Sequence, residues 1–348
     1  MITVLNNFSA EQKRIAVRRL TALWAFSESG LGGMLHALQV PFTGLIVGGM
    51  AVILITLIAF FSQQNIKSIL RSMLIVLIIK AVVSPHSPFP AYIAVSFQAV
   101  TGFLLFYLLR INLVSIILVS VIAMMESAIQ KLLILTLFFG QSFWNAVDRL
   151  SEFIAVQFNL NTINGSNLLI GIYLVIYFLG GICIAWMAWK IIKDIFVKKE
   201  SLVFDAAVQP AIQLKNSKKR KGKLLKLSIL LIIISILLFL FAPDADKGWL
   251  AVIRTVTWTF TAILLWYFVI SPLVTKFIQQ LLKKKQSSYS EEVAEAIAFL
   301  PLFKQITYIA WQKSRQYRGW KRLQYFFSGM VYWSITSNEP GHSLNENI

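Results

Sequence analysis

The run LIVGGMAVILITLIAFF at residues 45–61 carries no charged side chain, and runs like it recur along the chain. About 20 such residues, wound as a helix, cross roughly 30 Å of hydrocarbon. Lipid offers no water to an unpaired peptide group, so a chain inside it closes its own backbone hydrogen bonds, as helices or as a sealed barrel. Barrel strands alternate polar and apolar residues, and these runs do not. The fold class is therefore all-α, a polytopic integral membrane protein. Composition agrees, with 57% of residues apolar and 14% charged. The sequence predicts about eight transmembrane helices, at 20–38, 41–62, 68–85, 90–109, 112–139, 167–190, 225–242 and 249–275. The first is the least regular, a broken or partly re-entrant element. No short apolar core followed by a small-residue cleavage site precedes it, so the first span is expected to act as its own anchor.

Charge sets the orientation. The formal net charge is +18. The cations gather in alternate connections: Lys13, Arg14, Arg18 and Arg19, then Lys67 and Arg71, then Arg110, then the segment KNSKKRKGKLLK at 215–226, then Lys276 and Lys283–Lys285. The opposite connections hold only Arg149 and Lys247, and PHSPFP at 85–90 holds none. By the positive-inside rule both termini are cytoplasmic and the membrane is an inner or plasma membrane. The basic surplus is then a topology signal and a surface for anionic lipid, not a nucleic-acid site.

The chain is expected to divide into a six-helix membrane domain (1–195), a basic cytoplasmic connection (196–223), a two-helix hairpin (224–285) and a cytoplasmic helical region with a disordered tail (286–348). The last region opens with Ser288 and Glu291 at capping-box spacing. Val293, Ile297, Leu300, Phe303 and Ile306 come next at helical spacing, and Pro301 should kink or split that helix.

Chemistry is sparse. There is no GxxxxGK[ST], HExxH, CxxC or GxSxG, and the chain has three histidines and one cysteine, Cys183. This argues against an enzyme, and no cofactor or metal is expected. What remains are polar groups at membrane depth, where they are costly and by default mark a site or a pathway. Glu126 stands mid-span with Gln130 one turn on, and Ser120, Ser127 and Lys131 extend a polar arc; this is either a pocket wall or a hydrogen-bonded packing seam. Gln98 and Thr101 are weaker candidates. Lys80 and Arg254 lie near outer helix ends and are expected to snorkel. His86 is expected on an outer loop.

SESGLGGMLHALQVPFTG, residues 27–44, combines glycines with Ser27, Glu28, His36 and Gln39. Its glycines let the backbone leave helix geometry, which at membrane depth happens only against protein or a cavity. These four side chains are expected either to face an outward-opening cavity or to bond to neighbouring helices. Gly44 and Gly48 form GxxxG, a surface for close helix packing. The segment 141–158 has Phe143, Val147, Leu150 and Ile154 on one helical face, as in a helix lying flat at the outer interface.

In span number, orientation and loop character, residues 1–195 resemble the substrate-binding S-components of energy-coupling-factor vitamin transporters. The resemblance implies a six-helix protein that binds a small, vitamin-like molecule near the outer face, under the loop between the first two helices. Uptake would be energised by ATPase and transmembrane transporter subunits. Tyr317-Arg318-Gly319 is similar to two-thirds of the Ala-Arg-Gly signature on coupling helices of the transmembrane component. This implies partner contact at Arg318, with Arg315 one turn earlier. The expected function is binding of a small-molecule substrate for uptake across the lipid bilayer. The alternatives are a non-transporting scaffold that recruits cytoplasmic partners and an intramembrane lipid-modifying enzyme with Glu126 as base.

Overall fold

The computed structural model describes residues 9–37, 42–62, 65–84, 87, 89–157, 164–197, 273, 276–277, 280 and 287–336. The span expected at 225–242, all but Leu273 of that at 249–275, the connection after residue 197, His86 and the tail after 336 lie outside these residues. Every regular element among the described residues is helical.

Helix α1 (Ala10–Phe26) starts where the sequence allows two orphan donors to be met at once. Ser9 Oγ accepts from the Gln12 amide at 3.1 Å, and Gln12 Oε1 accepts from the Ser9 amide at 2.8 Å. A π-helical turn, Ser27–Leu31, comes next, and then α2 (Gly32–Ala37). The first span is therefore not broken at its glycines: Gly32 keeps helical dihedrals (φ −57°, ψ −48°), and the irregularity takes the form of a widened turn.

Next come α3 (Thr43–Ser62), α4 (Ser68–Val83), α5 (Phe89–Leu109), α6 (Leu113–Gln157) and α7 (Gly165–Val197). Helix α3 is central. It packs against α1, α4, α5 and the π-helical turn, and 78% of its most apolar stretch is buried, against 22% for α7. The outward faces of α5, α6 and α7 are apolar and bare, with Tyr107, Leu108, Val114, Leu137 and Val175 all more than half exposed. Water would penalise such a surface, whereas lipid matches it. Among the described helices, α3, α5, α6 and α7 are long and apolar enough to cross a membrane.

The C-terminal region forms a short 3₁₀ turn (Ser287–Tyr289), α8 (Ser290–Ala298), α9 (Leu300–Ser314) and α10 (Gly319–Thr336). The capping box expected at Ser288 is absent: α8 begins two residues later behind Tyr289, with no side-chain cap. Pro301 does split the helix. It stands in the first turn of α9, and α8 and α9 meet at a bend of 40°. Taken together these two would count as a fifth span by length and composition. All three helices contact α1. Met330, Val331 and Trp333 are buried, and Arg19 Nη1 donates to the carbonyls of Ser334 (3.2 Å) and Ile335 (3.4 Å). A cation on the last carbonyls of a helix satisfies orphan acceptors and opposes the helix dipole.

Among the described residues, those of 9–129, 173–197 and 280–336 make up one compact unit, and those of 130–172 belong to a second. In the second, α6 turns at Gly140, whose φ of 63° and ψ of −163° favour glycine. Trp144 Nε1 donates to Thr136 Oγ1 at 3.1 Å. Beyond the turn, in the segment expected at the interface, Leu150 and Phe153 are bare. There Asp148 Oδ1 accepts from the Ser166 amide at 2.7 Å, clasping the first turn of α7. The Ser166 backbone N–H, then its hydroxyl, hold the Asp148 carboxyl below the ordinary aspartate value. A lowered carboxyl stabilises at every pH above its unfolded value and stops doing so as pH falls through the folded one. The clasp should therefore be constant from neutral pH down to the ordinary aspartate range and open only below it. Amide NMR of Ser166 reads this directly, and Asp148→Asn should remove the acid step.

Candidate functional site

Two places bring polar side chains together. The first is at the end of the bundle where α1 finishes and α5 begins. A π-helical turn inserts an extra residue and rotates the chain beyond it, so Ser27, Glu28 and Ser29 are buried in succession. Glu28 thereby meets Lys80 of α4: Lys80 Nζ donates to Glu28 Oε2 at 2.7 Å, with side chains 3% and 7% exposed. Lys80 does not snorkel, contrary to the expectation from sequence, because a carboxylate is brought to it inside the bundle. Desolvating both ions is expensive, and their attraction only partly repays it. Ser27 Oγ donates to the Trp24 carbonyl at 2.9 Å. The buried Ser29 Oγ and Tyr92 hydroxyl have no hydrogen-bond partner among the described residues.

Deeper, Gly44 and Gly48 let side chains from three helices close on α3. A Cβ at Gly48 would stand 3.0 Å from Gln98 Nε2 and 3.1 Å from Met124 Cε, and one at Gly44 would stand 3.4 Å from Ser127 Cβ and from the Tyr177 hydroxyl. The seam between α3, α5, α6 and α7 thus carries polar groups among apolar ones, with Gln98, Ser127 and Tyr177 beside Met124 and Ile184. Tyr173 donates to the Tyr177 hydroxyl at 3.2 Å, and Phe42 stacks on Tyr173 with centroids 6.0 Å apart. Gln98 is 2% exposed, and its Oε1 has no partner among the described residues. Glu126, next to Ser127 on α6, is half-buried, as is Gln130, which belongs to the second unit. His36 lies in α2 with its side chain outside the described residues, and Gln39 is outside them altogether. Sequence alone does not single out Lys80, Tyr92 or Tyr177 as ligand-site residues. The i, i+4 spacing of Tyr173 and Tyr177 is the readable signal for the last.

The second place is at the opposite end, where α1 and α4 begin and α3 finishes. A cavity of about 730 Å³ is lined there by cations of α1 and α4, by Phe61 and Ile75, and by Glu292 and Glu295 of α8. Arg18 pairs with Glu295 at 2.7 Å, and Arg71 pairs with Glu292. Arg19 lies over the Phe299 ring at 5.6 Å. Thr21 and Ser72, both buried, share a hydrogen bond of 2.7 Å. Arg315 and Arg318 stand elsewhere, exposed on the turn between α9 and α10, with no ion pair among the described residues. Gly319 makes that turn with φ of 55°.

No family model, curated protein or solved structure matches this chain.

Proposed function

We propose that the chain is an integral protein of an inner or plasma membrane, with eight spans and both termini cytoplasmic, that binds a small polar molecule from outside for uptake. The observation behind this reading is the buried Glu28–Lys80 pair on a π-helical turn. Ionisable groups inside an apolar bundle are costly, and their usual justification is a ligand or an ion path. Ser29, Tyr92 and Gln98 add buried polar atoms that a ligand would satisfy. With no nucleotide-binding loop in the sequence, energy for transport would come from partner ATPase subunits. Native mass spectrometry of the purified protein is the test, and a retained small molecule is the expected result. Glu126→Gln should then weaken that retention by about one to two decades, the equivalent of a charge-assisted hydrogen bond of about 1.5–3 kcal/mol. A fall in protein abundance without a binding defect would instead make Glu126 a packing residue.

A scaffold reading is favoured by one observation, the exposed turn carrying Arg315, Tyr317, Arg318 and Trp320. Arg318→Lys separates partner docking from lipid attachment. It keeps the charge and loses the two-pronged contact of a guanidinium with a carboxylate. Partner pull-down should drop while membrane attachment holds; unchanged pull-down and uptake would leave the turn as a lipid-surface element.

A further inference from the structure

The uptake reading leaves the cavity at the charged end unused, and its wall has a definite chemistry. Lys13, Arg14, Arg18 and Arg19 of α1 face Lys67 and Arg71 at the start of α4, around a space of about 730 Å³. Cations crowded this way repel one another and draw counter-charge. The chain supplies two carboxylates, Glu292 and Glu295. They stand three residues apart, on one face of α8, and each pairs with an arginine. Lys13, Arg14 and Lys67 are left with no acidic partner among the described residues. The lining runs from these charges to the Thr21–Ser72 hydroxyl pair and then to Phe61 and Ile75. The volume falls within the range of small-molecule sites, roughly 300–1,000 Å³. Several guanidinium and ammonium groups converging without a surplus of acid suit a phosphate, whose oxygens accept from arginine two at a time.

We propose that this cavity binds a phosphate group, of a soluble phosphate monoester or of an anionic phospholipid, and that Glu292 and Glu295 of α8 act as a built-in competing anion. A ligand phosphate takes the same arginines that hold α8, so binding and α8 docking oppose each other. Uptake at the other end of the bundle plays no part in this.

The experiment uses the full chain purified in detergent without phosphate. One arm compares native-mass-spectrometric retention of phosphatidylglycerol with that of diacylglycerol, which lacks the phosphate. The other compares the thermal shift given by glycerol 3-phosphate with that given by glycerol. Selectivity for the phosphate-bearing or anionic member is expected in at least one arm. Selectivity in the first alone assigns a lipid source, and in the second a soluble one. Arg14→Gln with Lys67→Gln changes two exposed residues that have no acidic partner among the described residues. It should lower the selective affinity about tenfold or more, while Glu292→Gln with Glu295→Gln should raise it by a similar factor. Absence of selectivity in both arms, or selectivity untouched by the Arg14 and Lys67 changes, overturns the site. Selectivity that the glutamate changes fail to raise overturns the competition.

Discussion

Lys80→Met is expected to cost the folded bundle about 3–5 kcal/mol, the penalty for stranding one partner of a buried ion pair. Glu28 and Lys80 are almost fully enclosed and 2.7 Å apart, so removing the ammonium leaves a buried carboxylate without its counter-charge. Glu28→Gln should cost less, because an amide still accepts a hydrogen bond from Lys80, though the ammonium then lacks its counter-ion. The double change Glu28→Gln with Lys80→Met should recover most of the loss, since a buried ion pair replaced by uncharged groups of similar size is often close to neutral. Chemical denaturation in mixed micelles gives all three values. A double variant as unstable as Lys80→Met alone would mean that Lys80 acts through something other than Glu28.

Gly181→Leu should cost about 3 kcal/mol, the upper part of the range for overpacking. Even a Cβ at Gly181 would stand 2.9 Å from Val121 Cα and 3.2 Å from the Ser120 carbonyl oxygen. Those are backbone atoms of α6, and they cannot swing aside as a side chain does. Gly49 is the useful contrast. A Cβ there meets only Ile184 Cδ1 and Cγ1, the flexible end of a side chain, so Gly49→Ala should be absorbed by a rotamer change. Melting temperatures of Gly181→Ala and Gly49→Ala, which add the same methyl group, decide between backbone and side-chain obstruction.

The apolar runs are legible in the sequence because hydrophobic length is a local property. The helices at 43–62 and 89–109 fall where the sequence places spans; that at 165–197 runs past the expected end at 190, and that at 68–83 is helical where expected but is not among the helices long enough to cross a membrane. Pro301 is legible for a similar reason, since a missing amide donor acts on its own neighbours. The site is less so. Glu28 can be read as a polar residue at membrane depth, but its partner cannot, because Lys80 meets it only after a π-helical turn has rotated the chain. No periodicity announces such a turn, and the glycines of 30–33 point to a break instead. Ser288 and Glu291 show the converse failure: the spacing is right, but a 3₁₀ turn occupies 287–289 and moves the helix start past it. The charged cavity combines α1, α4 and α8, three segments far apart in sequence, and only tertiary packing unites them.

The grip of Arg19 on the carbonyls of Ser334 and Ile335 spans more than 300 positions of the chain. Arg18 reaches Glu295 across 277. During synthesis, therefore, α1 is made long before the helices α8 and α10 that cover it. Until then the flank of α1 that α10 covers is bare, since Trp333 and its neighbours do not yet exist. Contacts of such long range close slowly. A chain that stops before residue 287 lacks Glu292 and Glu295, so its basic cavity stays unlatched and the flank of α1 that α10 covers stays open.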